Sequence, residues 1–326
     1  MNDLSTASLM PARAEHNRRI YEKLSRELGP TVMGLLNDPT VAEIMLNPDG
    51  TLWVEHLGEE MREIGSMAPG QAESLMATVA SSLKTHITAN NPILECELPI
   101  DGSRFEALIP PVVSKPTFTI RKKALKVFTL QDYVDQGIMS DAQRSAIAEA
   151  VATHQNILVV GGTGTGKTTL TNAIIRHFVD VSPDDRIVII EDTGELQCAA
   201  KNVVTLRSVE HVDMTRLLKA TMRLRTDRII VGEVRDGAAL ALLKAWNTGH
   251  PGGCATVHAN HASAGLIRME QLVAEATIAP MQSLIAEAVN LIVSIVKEKG
   301  IRRIEEVVKV EGYDADGYLF HAIAKS

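Results

Sequence analysis

Residues 156–169 read NILVVGGTGTGKTT, and this stretch decides the fold. Residues 156–160 form a β-branched apolar run, which is typical of a buried strand, and residues 168–178 have helical character. The glycine-rich segment between them has the composition of a loop that wraps around a nucleotide triphosphate tail. A glycine-rich structural turn is the alternative, and the strand before the segment and the helix after it disfavour that alternative.

The spacing within this segment, called the phosphate loop below, predicts how each residue meets the anion. Gly161, four intervening residues, Gly166, Lys167 and Thr168 match a pattern in which small residues let successive backbone N–H groups turn inward. We expect Lys167 to reach the β- and γ-phosphates of ATP and the Thr168 hydroxyl to hold Mg²⁺, while the following helix directs its positive end at the anion. The loop residues predicted to bind the nucleotide are Gly161, Gly162, Thr163, Gly164, Thr165, Gly166, Lys167, Thr168 and Thr169.

The composition indicates a globular protein of two domains that does not coat nucleic acid. The chain has 326 residues, of which 45% are hydrophobic, and single cores seldom grow past about 250 to 300 residues. The formal charge of −7 disfavours a protein that covers nucleic-acid phosphates with basic stripes. Aromatic residues make up only 3% of the chain, so platforms for stacking bases are scarce. Direct binding of nucleic acid is therefore not expected.

The cysteines and the apolar runs indicate a cytoplasmic protein. Cys96, Cys198 and Cys254 lie far apart and lack the spacing of a zinc site, so we expect buried, reduced thiols. Residues 1–19 lack a basic start followed by an apolar stretch, and no later run approaches the roughly 18 apolar residues of a membrane span. We expect any membrane contact to be peripheral, at the inner face of the cytoplasmic membrane.

Two patterns of elements divide the chain. Residues 1–122 combine helical stretches with extended runs and turn signals, and they predict a small α+β domain. Residues 123–136 are predicted to be a linker. In residues 137–326 strands alternate with helices, which predicts an α/β domain built on a mostly parallel, buried sheet with antiparallel hairpins near its end. The phosphate loop lies at the carboxyl end of a strand, where open α/β sheets bind ligands.

Local signals in the first domain place its elements. Residues 12–28 predict a surface helix that ends at Gly29-Pro30, and residues 69–89 predict a second helix. Asn47-Pro48-Asp49-Gly50 predicts a turn between two strands, and Asp101-Gly102 predicts a hairpin.

Acidic residues follow two predicted strands, where hydrolysis requires them. RIVIIEDTGEL places Glu191 and Asp192 after one strand, and RIIVGEVRDG places Glu233 after another. Glu233 is the candidate general base, and Glu191 and Asp192 are candidates to act on Mg²⁺ through water, because Mg²⁺ usually keeps several of its waters. A helix cap or a turn residue is the alternative for each. The predicted metal residues are Thr168, Asp192 and Glu233, and Glu191 is assigned to the catalytic group.

Four motifs in chain order resemble those of the type II and type IV secretion ATPases. They are residues 161–169, EDTGEL at 191–196, RLRTDRIIVGEVRDGAALALLKAWNTGHPGG at 223–253 and CATVHANHA at 254–262, which are similar to the family's Walker A motif, Asp box, Walker B motif and His box. The resemblance spans about residues 100–290. It implies a RecA-like P-loop NTPase domain on the C-terminal side, a smaller PAS-like α+β domain on the N-terminal side, and a ring hexamer that binds nucleotide between the two domains.

The resemblance also assigns roles to single residues. Lys167 and Thr168 fall on the phosphate and Mg²⁺ positions, Glu233 on the catalytic glutamate and His258 on the His box. For His258 two interpretations stay open: it senses the γ-phosphate or a neighbouring subunit, or it forms a hydrogen bond with nearby backbone.

Arginines form the last predicted group. Arg223 and Arg225 fall on the family's arginine-rich stretch, and Arg104 and Arg121 occupy the places from which N-terminal-domain arginines approach the γ-phosphate. A guanidinium supplies forked donors to the charge on a transferring phosphoryl group. The alternative for Arg104 and Arg121 is a solvated charge on a strand edge. The sequence departs from the family at Thr226, where many members have proline, and this departure affects only the local turn.

These observations favour a homo-hexameric ATPase that powers assembly of, or substrate passage through, a type IV secretion or conjugative DNA-transfer channel, with inner-membrane channel proteins as partners. Two other functions stay open. A RecA-like motor acting directly on DNA would lose DNA binding steeply with salt. A nucleotide-gated scaffold would bind ATP without turnover, and replacing Glu233 would change little in it.

Overall fold

The computed structural model describes residues 6–56, 59–123, 127–209 and 211–325. The chain divides into two compact units, Met1–Leu125 and Lys126–Ser326. Of the segment predicted as a linker, residues 124–126 lie outside the described residues. No helix in the described ranges is long and apolar enough to cross a membrane.

The described residues of the first unit form a six-stranded antiparallel sheet with two helices. Its sheet order is β3-β2-β1-β6-β5-β4. The elements are α1 (Thr6–Asn37), β1 (Val41–Leu46), β2 (Thr51–His56), β3 (Arg62–Ser66), α2 (Pro69–Ser82), β4 (Ile93–Glu97), β5 (Arg104–Leu108) and β6 (Thr117–Arg121).

Alternation along these strands gives the sheet one buried face. In β5, Phe105 and Ala107 are buried, and in β6, Phe118 and Ile120 are buried, while their neighbours are not. The buried residues pack in one cluster with apolar residues of α1 and α2. Because side chains on a strand alternate between faces, Arg104 and the residues two apart from it lie on the opposite face from this core.

The two helices of this unit do not end where the sequence predicts. Gly29 leaves the helical conformation at φ 75° and ψ 168°, at the position predicted as the helix end, but helical structure resumes beyond it, so α1 has a kink there and continues to Asn37. The second helix is shorter than the predicted 69–89 and ends at Ser82. Lys84 has φ 59°, which is incompatible with a continuing right-handed helix.

In its described residues the second unit contains an eight-stranded sheet of order β14-β13-β12-β7-β11-β10-β8-β9. The six neighbouring strands from β12 through β7, β11, β10 and β8 to β9 run parallel to one another. Strands β13 and β14 extend the sheet beyond β12 as antiparallel neighbours. The sheet is therefore mostly parallel, as predicted. The elements are α3 (Leu130–Asp135), α4 (Asp141–Ala152), β7 (Ile157–Gly161), α5 (Lys167–Val181), β8 (Ile187–Glu191), β9 (Val203–Arg207), α6 (Met214–Thr221), β10 (Arg228–Val231), α7 (Ala238–Asn247), β11 (Cys254–His258), α8 (Ala262–Ala274), α9 (Gln282–Ala288), β12 (Leu291–Glu298), β13 (Ile301–Asp314) and β14 (Gly317–Lys325).

Helices cover both faces of this sheet, which explains why its central strands are continuous apolar runs. All residues of β7, β8 and β10 are buried. One core cluster joins the sheet to α4 and α5, and the other joins it to α6, α7, α8 and α9. The parallel strands all finish at the same end of the sheet, so the loops that follow β7, β8, β10 and β11 converge there.

The helix α3 lies within the segment predicted as a linker. Thr129 and Asp132 form a capping box, in which the Thr129 hydroxyl accepts from the amide of Asp132 and the Asp132 carboxylate accepts from the amide of Thr129. Leu130 and Tyr133 are buried in the core of the second unit. The second half of the segment is thus part of that unit.

A buried guanidinium, that of Arg228, stabilises the opposite end of the sheet, where the parallel strands begin. Arg228, at the start of β10, is fully buried, and its Nε donates to Asp185 Oδ2 at 2.5 Å. The same guanidinium donates to the carbonyls of Gly252 and Val151, at 3.0 and 3.2 Å, and lies 4.6 Å from the ring centroid of Phe178. Buried charges require such pairing, so this cluster holds the amino ends of the strands together.

Candidate functional site

The phosphate loop connects β7 to α5 and depends on glycine at several positions. Gly164 and Gly166 have φ of 70° and 101°, in the left-handed region that other residues rarely adopt. A Cβ on Gly161 would lie 2.5 Å from the carbonyl oxygen of Ile295 and 2.7 Å from Thr165 Oγ1, so only glycine fits there. Because α5 begins at Lys167, the loop ends at a helix amino terminus, which attracts anions.

The remaining loop residues differ in exposure. Thr163 and Gly164 are exposed at the tip, and Thr165 is buried with its hydroxyl donating to the carbonyl of Gly162 at 3.0 Å. Thr169 is half-buried in the first turn of α5. The loop is thus braced from within while its tip faces outward.

Lys167 is held inside the phosphate loop by the loop itself. Its side chain is buried, and Nζ donates to the carbonyls of Gly161 and Gly162 at 2.9 and 2.8 Å. Burial lowers the pKa of Lys167, and the charge of Glu233 partly opposes that shift. Carbonyls solvate an ammonium less well than a polyphosphate would, so the arrangement favours an anion in the loop.

His258 connects Lys167 to Glu233. Lys167 Nζ lies 3.3 Å from His258 Nδ1, and His258 Nε2 lies 2.9 Å from Glu233 Oε1. A neutral ring with its proton on Nε2 satisfies both contacts, because Nδ1 then accepts from the ammonium and Nε2 donates to the carboxylate. Burial and the charge of Lys167 lower the pKa of His258, which favours this neutral form. The three side chains form a continuous hydrogen-bonded chain from the phosphate loop to the end of β10.

Arg235 fixes the other oxygen of Glu233, and the sequence reasoning did not identify it. Its guanidinium lies 2.9 Å from Glu233 Oε2 and 3.4 Å from Asp192 Oδ2. Burial opposes its charge, but the hydrogen bond and the charges of the two carboxylates raise its pKa overall. The available signal was its position two residues after Glu233 in the loop that follows β10. Arg235 thus bridges the two acidic strand ends.

Glu191 shapes the loop after β8. Its side chain is only 3% exposed, and Oε2 accepts hydrogen bonds from the amides of Glu195 and Leu196 at 2.9 and 3.0 Å. Burial raises the pKa of Glu191, and these two amide hydrogen bonds partly oppose the shift. Asp192 accepts from the hydroxyl of Ser208 and faces Arg235. In these contacts Glu191 acts on backbone amides.

Glu195 is the carboxylate that lies beside the phosphate loop, and the sequence reasoning did not single it out. Thr168 Oγ1 donates to Glu195 Oε2 at 3.4 Å. Glu195 stands in the EDTGEL stretch, but a strand-end pattern does not indicate which acidic residue of a loop turns toward a neighbouring helix. A hydroxyl and a carboxylate at the start of α5 are hard oxygen donors that fit Mg²⁺, which needs few protein ligands when phosphates and waters complete its shell.

Arg223 and Arg225 do not lie with the phosphate loop in this chain. Both are exposed in the turn between α6 and β10, and Arg225 has φ 49°. This turn precedes the amino end of β10, whereas the phosphate loop follows the carboxyl end of β7, which is parallel to it. The Thr226 hydroxyl donates to the carbonyl of Thr221 at 3.1 Å and stabilises the turn at the position where the sequence departs from the family.

Arg104 and Arg121 are direct neighbours in the first unit. They lie opposite each other in the antiparallel register of β5 and β6, so both side chains are on the same face of the sheet. Arg121 Nε donates to Glu43 Oε1 at 2.6 Å, and Glu97 lies opposite Arg104 in the register of β4 and β5. Two like charges directly opposite each other are destabilising unless counter-charges or an anion lie nearby.

The stability of the protein should depend on pH through His258. Its lowered pKa means that the unfolded chain binds this proton more readily than the folded chain, so stability rises with pH up to the ordinary value of 6.5. As pH falls below 6.5 toward the lowered pKa, the wild type should lose thermal stability relative to His258→Gln. Thermal melts between pH 7.5 and 5 measure this difference, with the exposed His86→Gln as the control variant. A constant difference between wild type and His258→Gln across that range would contradict the neutral-ring assignment.

The family of the chain follows from comparison with known proteins. The sequence profile described as "Type II/IV secretion system protein" matches residues 27–312. The chain therefore belongs to the type II/IV secretion system protein family, which confirms the resemblance of its four motifs.

Several individual proteins of known name or structure are similar to this chain. The chain is 54% identical over 300 residues to the conjugal transfer protein TrbB of Rhizobium radiobacter, covering 92% of this chain and 93% of that protein. It is 32% identical over 283 residues to the type IV secretion system protein VirB11 of Bartonella henselae, covering 74% of this chain and 78% of the relative. The crystal structure of the Legionella pneumophila ATPase DotB matches with a TM-score of 0.61 at 18% identity, over 87% of this chain and 80% of DotB, and so shares the fold.

Proposed function

We propose that this chain hydrolyses ATP as a homo-hexamer and that the hydrolysis powers a type IV secretion or conjugative DNA-transfer apparatus. The observation that carries the proposal is the hydrogen-bonded chain of Lys167, His258 and Glu233, which links an anion-binding loop to a carboxylate at a strand end. The names of the relatives support the biological context, since TrbB is a conjugal transfer protein and VirB11 a type IV secretion system protein.

Nucleotide binding begins with an exchange of partners at Lys167. The ammonium now donates to the carbonyls of Gly161 and Gly162, and the β- and γ-phosphate oxygens of ATP replace those acceptors. The inward-facing amides of the loop and the positive end of α5 act on the same polyanion. The loop therefore binds the tail by charge and by backbone geometry.

Glu233 is proposed to orient the attacking water. His258 and Arg235 fix one oxygen each, at 2.9 Å, and a carboxylate retains further lone pairs with which to accept from water. Because both oxygens of Glu233 already have a fixed partner, we propose that its main contribution is to position the water, as in other phosphoryl transfers through a loose transition state. Because His258 contacts both Lys167 and Glu233, a change at Lys167 when nucleotide binds would also change the position of Glu233.

Mg²⁺ would fit beside the phosphate loop, where Thr168 and Glu195 would supply oxygen donors and Asp192 and Glu233 would act through water. When bound, the metal neutralises charge on the β- and γ-phosphates. Glu191 keeps the loop after β8 in the shape that presents Glu195, through its hydrogen bonds to the amides of Glu195 and Leu196.

The arginines are proposed to complete the site when the ring assembles. Arg104 and Arg121 belong to the first unit, which we propose to be the PAS-like domain, and we propose that they donate to the γ-phosphate in the assembled ring. Arg223 and Arg225 lie at the opposite ends of the strands from the phosphate loop, so we propose that they act on the nucleotide of a neighbouring subunit. Hydrolysis then depends on domain position and ring assembly, which allows the cycle to drive movement at the inner face of the cytoplasmic membrane.

The proposal is tested by measuring mass and phosphate release on the same purified samples. We expect Mg·ATP-dependent phosphate release in a species with the mass of six chains and little release in dilute, dissociated protein. Equal specific activity in single chains would contradict the assembly-dependent site. Nucleotide binding without turnover in the hexamer would favour a scaffold, and turnover only with DNA present would favour a DNA motor.

A further inference from the structure

Arg302, near the start of β13, lies against the phosphate loop on the side away from Glu233. A Cβ placed on Gly166 would lie 3.4 Å from both Cδ and Nε of Arg302, so the arginine side chain contacts the loop where glycine leaves room for it. In the sheet order, β12 and β13 lie on one side of β7, whereas β11 and β10, which carry His258 and lead to Glu233, lie on the other. The phosphate loop is thus flanked by the hydrolytic residues and by Arg302.

The register places Arg302 at the edge of the sheet that carries the site. β12 runs parallel to β7, and Arg302 pairs with Lys297 near the carboxyl end of β12. Because β13 runs antiparallel to β12, its first residues lie at the same edge as the loop after β7. The contact between Arg302 and Gly166 therefore arises from the fold of the second unit alone.

The guanidinium of Arg302 is charged and has no counter-ion in the described parts of the chain. Its neighbour Arg303 lies 3.5 Å from Glu298 and 3.8 Å from Glu305, whereas Arg302 forms no ion pair or hydrogen bond within those parts. Its charge acts on the phenol of Tyr133, whose pKa burial raises and Arg302 partly lowers. A cation so placed against an anion-binding loop favours a negatively charged or planar ligand.

The orientation of ATP in the loop determines which part of the nucleotide lies near Arg302. In the proposed function the γ-phosphate lies on the side of His258 and Glu233, and the loop amides surround the β-phosphate. The α-phosphate and the nucleoside then leave the loop on the opposite side, toward β12 and β13. A guanidinium there can donate to the α-phosphate and stack on the base.

We infer that Arg302 binds the α-phosphate and nucleoside end of the nucleotide and so makes the site prefer ATP and ADP over inorganic polyphosphate. This inference rests on the proposed function, because it requires nucleotide in the phosphate loop. Arg302 contributes affinity, and the hydrolytic residues contribute rate. Its removal should therefore raise KM and leave kcat nearly unchanged.

The test compares Arg302→Ala and Arg302→Lys with Arg303→Ala, which removes the same charge at the adjacent position. Calorimetric titration measures ADP and tripolyphosphate binding separately, and melting curves confirm that each variant folds. We expect Arg302→Ala to weaken ADP binding about tenfold or more, the loss of one charge-assisted hydrogen bond, and to weaken tripolyphosphate binding less, because tripolyphosphate has no base on which Arg302 can stack. Arg302→Lys should fall between wild type and Arg302→Ala because it keeps the charge without the planar group, and Arg303→Ala should match wild type.

Equal weakening of ADP and tripolyphosphate by Arg302→Ala, or wild-type ADP affinity in that variant, would overturn the inference. A loss of ADP affinity in Arg303→Ala equal to that in Arg302→Ala would also overturn it, because the effect would then be general charge. If the wild type itself bound neither ADP nor tripolyphosphate, the proposed function would fail before Arg302 was tested.

Discussion

Glu233→Gln is expected to reduce ATP-dependent phosphate release by about 10²- to 10⁴-fold while ATP still binds. Glutamine keeps the size of the side chain and an oxygen for the His258 hydrogen bond, but it loses the negative charge that orients water and pairs with Arg235. The phosphate loop is untouched, so the KM for ATP should change little. Steady-state phosphate release and equilibrium binding of a fluorescent ATP analogue measure the two effects separately.

The matched control is Glu298→Gln, which removes an exposed carboxylate that also lies near an arginine. It should retain wild-type turnover, since Glu298 lies in β12 away from the hydrolytic residues. Wild-type turnover in Glu233→Gln would remove Glu233 from the chemistry and would favour the scaffold function.

Lys167→Ala is expected to abolish both tight nucleotide binding and turnover, with phosphate release reduced by at least about 10³-fold. The ammonium lies at the centre of the site, between the loop carbonyls and His258, and positive charge on a transferring phosphoryl group contributes on that scale. His258 also loses the donor to its Nδ1, so the connection to Glu233 breaks. Calorimetry with ADP and a phosphate-release assay measure the two losses.

Lys219→Ala serves as the control for Lys167→Ala because Lys219 is exposed in the last turn of α6. It should bind nucleotide as the wild type does. Retention of tight ADP binding in Lys167→Ala, at a melting temperature equal to that of wild type, would show that nucleotide binds elsewhere.

The sequence was sufficient for the parts of the fold that rest on local patterns. The β-branched run before Gly161 and the alternation of strands and helices predicted the parallel sheet, because buried parallel strands require continuous apolar residues. The position of the phosphate loop at a strand end followed from the same pattern. The capping box of Thr129 and Asp132 is also a local pattern, and it indicates the helix α3 inside the segment that composition alone assigns to a linker.

The side-chain contacts of the site required three dimensions. Glu195 and Arg235 meet Thr168 and Glu233 because loops after different strands converge, and no spacing along the chain predicts which side chain of a loop turns inward. The contact of Arg302 with Gly166 is even harder to predict from the sequence, because it depends on the pairing of β12 with β7 and of β13 with β12. Sequence patterns locate strand ends, and the fold decides which residues meet there.

The central claim is that the phosphate loop binds the polyphosphate of ATP on the side of His258 and Glu233. A crystal structure with Mg²⁺ and a non-hydrolysable ATP analogue tests it most directly. We predict the β-phosphate within the loop amides and Lys167 Nζ moved from the carbonyls of Gly161 and Gly162 onto phosphate oxygens. A crystal structure obtained at a saturating concentration of the analogue would contradict the account if the phosphate loop were empty and Lys167 still donated to those carbonyls.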